Sequence, residues 1–160
     1  MENHFQFRDN LLAVHRPARV NPSVWKKITG TVVDERWRIT IPEGAGPILR
    51  NAAADLHEYF AVSMDVTLSG QGQPAITMLC DPALPARTFE VRVTPASITI
   101  AGTDERAAAQ GAYALEDAMN LNEGPVIASG VFRRTMRFSP RIIHSGIGTN
   151  RYPTEHLRAI

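Results

Sequence analysis

Arg133, Arg134, Arg137 and Arg141 make the densest positive run in the chain, and the guanidinium fork is suited to holding a carboxylate or phosphate through paired hydrogen bonds. No aromatic interleaving accompanies the run, as a base-stacking platform would require, so surface or interdomain charge is its simpler reading. The 5 histidines, His4, His15, His57, His144 and His156, include no pair at i and i+4, which argues against metal ligation. His57 falls on the polar side of a helix. Asp104 and Glu105 stand side by side at an expected helix start, where acids compensate the positive end of the dipole. Glu116 and Asp117 fall on what reads as the solvated face of the same helix. Cys80, the 1 cysteine, lies inside a strand pattern and reads as a small core residue, because no neighbour in sequence would depress its pKa. Trp25, Trp37 and Tyr152 are too scattered to form a sugar-stacking platform.

These side chains sit in a chain of 160 residues, 44% hydrophobic and 21% charged, the composition of a globular domain able to bury a real core. Its 17 basic residues against 16 acidic ones leave a net charge of +1, which argues against nucleic acid or an anionic membrane as partner. A single cysteine excludes an internal disulfide, and no motif implies a cofactor or a metal. The start, MENHFQFRDN, has no basic and apolar leader and no long apolar run follows, so the chain reads as cytoplasmic or as already relieved of a signal.

Residues 1–34, with Phe5, Phe7 and Trp25 among arginines and prolines, show no sustained period and read as an arm or short strand followed by an irregular linker. Trp37, Ile39 and Ile41 alternate with Arg36, Arg38 and Thr40, the pattern of a half-buried strand that Pro42 stops. Between Gly44 and Met64, the spacing of Leu49, Ala52, Ala53, Leu56 and Phe60 predicts an amphipathic helix with Pro47 near its first turn. Ala75 to Cys80, AITMLC, is apolar enough for a central strand covered on both faces. Phe89, Val91 and Val93, then Ile98 and Ile100 after the Pro95-Ala96-Ser97 turn, predict an antiparallel hairpin. Thr103 is the expected N-cap of a second helix, whose buried stripe is Ala108, Ala112, Leu115 and Met119 with Gly111 beside it. The fold class is therefore α+β: an antiparallel or mixed sheet with two helices packed on one face. Near the end, Pro153, Thr154 and Glu155 begin another helix that Leu157 and Ile160 would make apolar on one side. That pattern suggests the front of a further domain, with a natural, frayed C-terminal helix as the alternative.

The strand AITMLCD, the helix ILRNAAADLHEYFAVSM and above all FEVRVTPASITIAGTDERAAAQGAYALEDAM resemble the small α+β domain preceding the catalytic (β/α)8 barrel in family 20 hexosaminidases and α-glucuronidases. Phe89 to Val93, Ile98 to Gly102, Asp104, Gly111 and Leu115 stand at the positions that carry the likeness. FRRTMRFSPR is similar to the family's approach to the first barrel strand, matching at Arg133, Met136 and Arg141. It departs at Arg134, where the family has glycine, and at Phe138, where it has an acid.

The resemblance implies an accessory domain at 35–131, followed by the start of a barrel, incomplete, at 132–160. It implies a non-catalytic support for a glycosidase, inactive alone, whose carboxyl pair would lie past residue 160. Its partners would be the downstream barrel of the same polypeptide, a carbohydrate substrate for the complete enzyme, and another copy of the subunit. Arg141, at the end of the first barrel strand, would hold sugar hydroxyls or a uronate, with His144 and Ser145 on the same rim. Two rival readings stay open: a free-standing ligand- or protein-binding α+β module, and a small enzyme using the Arg141 to Tyr152 loop.

Overall fold

The structure, a computed structural model, describes residues 14–17 and 19–138. Its centre is a mixed sheet of β2 (Arg38–Thr40), β3 (Ala75–Cys80), β4 (Thr88–Thr94), β5 (Ser97–Gly102) and β7 (Gly130–Thr135), in the order β2-β3-β5-β4-β7. β2 and β3, and β3 and β5, pair parallel, whereas β4 runs antiparallel to both β5 and β7. A helix follows β2 and another follows β5: α2 (Pro47–Ser63) and α3 (Glu105–Leu121). Both crossovers step the same way along the sheet. Right-handed connections of that kind carry both helices to one face, and α2 packs over β2 and β3 while α3 packs over β3, β4, β5 and α2. The α+β class expected from the sequence is the class observed.

The alternation in the strands decides which face the helices cover. Ile76, Met78, Val91, Ile98 and Ile100 are fully buried, and register aligns Met78, Ile100, Val91 and Phe132 in one row across four strands. From the helices, Leu49, Leu56 and Phe60 meet this layer, as do Ala108, Ala112, Leu115 and Met119. At roughly 25 cal/mol per Å2, burial on this scale is what offsets the chain entropy lost on folding. Two glycines let the layers touch. A Cβ at Gly111 would sit 2.6 Å from Cγ2 of Ile100, and one at Gly102 would sit 2.6 Å from the Ala107 carbonyl carbon and Ala108 Cα.

Several expectations change. β3 is covered on one face only: Thr77 and Leu79 are half-buried on the other side, and Cys80 at its end is exposed, so the cysteine is not a core residue. The N-cap of α3 is Asp104, whose side chain accepts from the Ala107 amide at 2.8 Å; Thr103 instead ties the hairpin, donating to Pro85 and Thr88 carbonyls. The part of residues 1–34 that is described belongs to the fold. Asn21 caps the short α1 (Pro22–Trp25), and β1 (Thr31–Val32) pairs antiparallel with β6 (Val126–Ile127), with Thr31 and Val33 buried. Its hydrogen bonds go to loop ends, Arg19 N–H to Ser63 O and Asn21 N–H to Glu123 O, a pattern that produces no sequence period. The expected boundary between 131 and 132 falls inside β7, which pairs with β4 from Gly130 through Thr135. After β7 the Met136 N–H donates to the Arg87 carbonyl, and the expected barrel start from residue 139 onward lies outside the described residues.

Candidate functional site

Arg141 and His144 lie outside the described residues, as do Ser145 and Tyr152. The rest of the arginine run is divided by strand geometry. Successive side chains of β7 point to opposite faces, so Arg133 joins Glu90 on the open face, at 2.6 and 3.1 Å, while Arg134 pairs in register with Phe89 on the helix side. Arg92 reaches the other Glu90 oxygen at 2.8 Å, and hydrogen bonding from Arg133 first and Arg92 second holds the Glu90 carboxyl below its ordinary range. The open face therefore carries one carboxylate shared by two guanidinium groups, which leaves an excess of positive charge there. A groove of about 850 Å3 runs between the outer flank of α3 and β7, lined by Tyr113, Ala114, Asp117, Arg134, Met136 and Phe138. It is the surface along which the chain leaves the sheet.

The acid pair expected at the start of α3 serves structure. Asp104 is the cap, and Glu105 reaches across to accept from the Gly46 N–H at the start of α2. Their charges, after burial, push the Cys80 thiol above its ordinary pKa, the opposite of what a nucleophile needs. His57 is exposed on α2 as expected. Trp37 is buried in the core, and Trp25 is half-buried and packs against Gly124, so the two rings form no common platform. Among the described residues no group of His, Cys, Asp or Glu is arranged to hold a metal ion.

The polar cluster that the fold does assemble lies between α2 and α3, and its central member is Glu116, which the sequence placed on a solvated face. Glu116 is 9% exposed. Its Oε1 has no hydrogen-bond partner among the described residues. Burial first, then the charges of Asp55 and Asp117, push its carboxyl up to about 8. Across the cleft, His15 contacts Asp55 Oδ1 at 3.1 Å with its side chain 7% exposed, and its ring meets Tyr59 edge to face at 5.5 Å. The Tyr59 hydroxyl donates toward the Glu116 carbonyl (3.0 Å) and Asn120 Oδ1 (3.2 Å). Burial, then the charge of Glu116, raises the Tyr59 pKa; burial, then Asp55 and Glu116, raises that of Tyr113. Glu116 follows Ala108 and Ala112 at i, i+4 spacing, but spacing alone does not show that α2 covers that edge of the stripe. A charged residue on an apolar row reads as exposed until a facing helix is placed over it.

The chain matches no family model and no curated protein. Among solved structures it is similar to the N-acetyl-β-hexosaminidase of Streptomyces plicatus in complex with thio-NAglucal. Identity is 17%, the TM-score is 0.52, and the match covers 76% of this chain and 27% of that one. At this identity the likeness shows a shared α+β fold. This chain thus spans about a quarter of the length of that enzyme. No helix among the described residues is long and apolar enough to cross a membrane.

Proposed function

We propose that this chain is a non-catalytic α+β domain of a glycoside hydrolase, resting against a catalytic barrel formed by the polypeptide that follows it. The observation that carries the reading is the fold shared with part of a hexosaminidase whose remaining length lies outside the match. The α3–β7 groove is where the barrel would dock: the chain exits along it, Tyr113 and Phe138 expose apolar surface there at 41% and 79%, and Leu121, 84% exposed, lines a separate depression that shares Ala114, Asp117 and Arg134 with it. In this reading Arg141 and His144 face the sugar from the barrel rim, and hexosaminide or glucuronide hydrolysis belongs to the complete enzyme alone. The intact mass of the native polypeptide tests it. A native chain longer by about 250 residues or more has room for a barrel, and it should hydrolyse 4-nitrophenyl N-acetyl-β-glucosaminide or the corresponding glucuronide while the 160-residue chain does not. A native chain ending near Ile160 overturns the proposal in favour of a free-standing binding module.

A further inference from the structure

We propose that the cleft between α2 and α3 binds a small monoamine, its ammonium group seated by the Asp55 and Glu116 carboxylates beside the Tyr113 ring. The cleft encloses about 310 Å3, the lower end of the range for small-molecule sites. Glu116 is one of the residues lining it; the residue is nine-tenths buried, and its Oε1 has no partner among the described residues. A buried acceptor left without a donor costs about 1–3 kcal/mol, more when it is charged. The neighbouring donors are already engaged: the single Tyr59 proton is directed at the Glu116 carbonyl and Asn120, and His15 faces Asp55. None of the basic side chains described lies within ion-pair distance of Glu116.

The charges around Glu116 select the ligand. From α2 it faces Asp55 and Tyr59, and from α3 it neighbours Tyr113, Asp117 and Asn120. An ammonium supplies three donors and no acceptor, relieves the repulsion between the two acids, and is attracted to an aromatic face. The segment before α1 places His15 in the cleft and Arg16 and Arg19, both exposed, along it. These arginines repel a second positive group, which disfavours a diamine and favours a monoamine with a neutral or anionic tail. The site does not depend on a following domain.

The test is a titration of the isotope-labelled 160-residue chain with ethanolamine at pH 8.5, against sodium chloride and tetramethylammonium chloride at equal ionic strength. Shifts confined to Asp55, Tyr113 and Glu116 that only ethanolamine produces support the proposal. So does a fall in the titration midpoint of the Glu116 carboxyl carbon at saturating amine, since a ligand that prefers the carboxylate must lower its pKa. Glu116→Gln should weaken binding at least tenfold, and Glu58→Gln, on the exposed side of α2, should leave it unchanged. Equal shifts from tetramethylammonium or salt, an unmoved Glu116 midpoint, or full affinity in Glu116→Gln would each overturn it. The wild-type carboxyl titration decides the matter even if the variant does not fold.

Discussion

Replacing Glu116 with glutamine keeps the side chain's shape and removes its charge, so its effect on stability should depend on pH in a way fixed by the burial of that carboxyl. The ordinary value is 4.5 and the folded value about 8. Between them the folded protein keeps a proton that the unfolded chain has released, and stability falls as pH rises through that window. Below 4.5 the carboxyl is neutral in both states and contributes nothing; above 8 the penalty is complete. At about 1.4 kcal/mol per pH unit the whole shift corresponds to roughly 5 kcal/mol. Water entering the open cleft screens part of this, leaving on the order of 2–4 kcal/mol. Glu116→Gln should therefore be more stable than the parent by that amount at pH 9 and within about 1 kcal/mol of it at pH 5. For a chain of this size 1 kcal/mol moves the midpoint by roughly 2–4 °C, so thermal unfolding followed by circular dichroism at both pH values resolves the effect. A stability difference equal at pH 5 and pH 9 would refute the reasoning, because it would mean that Glu116 ionises at its ordinary value.

Leu115→Ala empties a fully buried position under the sheet and should cost about 2–5 kcal/mol in urea unfolding. Gly102→Ala drives a methyl into the backbone of α3, whereas Gly111→Ala meets the Ile100 and Phe89 side chains. The first should destabilise by about 3 kcal/mol or more and the second by roughly 1–2 kcal/mol, part of its strain being offset by alanine's better helix propensity. Asp104→Ala removes the cap bond to Ala107 and should cost about 1 kcal/mol, whereas Thr103→Ala should leave the helix start intact and loosen the hairpin; amide exchange at residues 105–107 separates the two.

The elements that bury one face were legible because their periods are strong. Trp37, Leu49, Leu56, Phe60, Ile98, Ile100 and Leu115 were placed in the core by spacing alone, and they are there. Gly111 was placed beside the buried stripe of α3, where it does lie against Ile100 and Phe89, and the sheet could be narrowed to antiparallel or mixed. What spacing cannot supply is which helix face another helix covers. Tyr59 and Glu116 lie where α2 meets α3, so both sit beside the main stripes, and only their juxtaposition buries them. Cys80 failed for the complementary reason: a strand's last residue can continue its pattern after the covering layer has ended. His15 reaches its partner Asp55 across 40 residues of chain, and the segment that carries it has no period to betray its position. The α+β fold, which the chain shares with part of a solved hexosaminidase, was legible in a hairpin and helix whose backbone requirements leave a recognisable trace, Ile98 to Gly102 and then Asp104, Gly111 and Leu115.

The carboxylate of Glu105 accepts from the amide of Gly46, which starts α2 without any side-chain cap of its own and without an acid in its first turn. Two parallel helices with adjacent starts bring two positive dipole ends together, and one carboxylate lies against both. The first turn of α2 is thereby completed by a residue 59 positions away in sequence. α2 cannot reach its full stability until α3 has docked. The two helices should lose protection from solvent in a single opening event, and the βαβ unit at the start of the domain and the hairpin-helix unit that follows become one cooperative folding block.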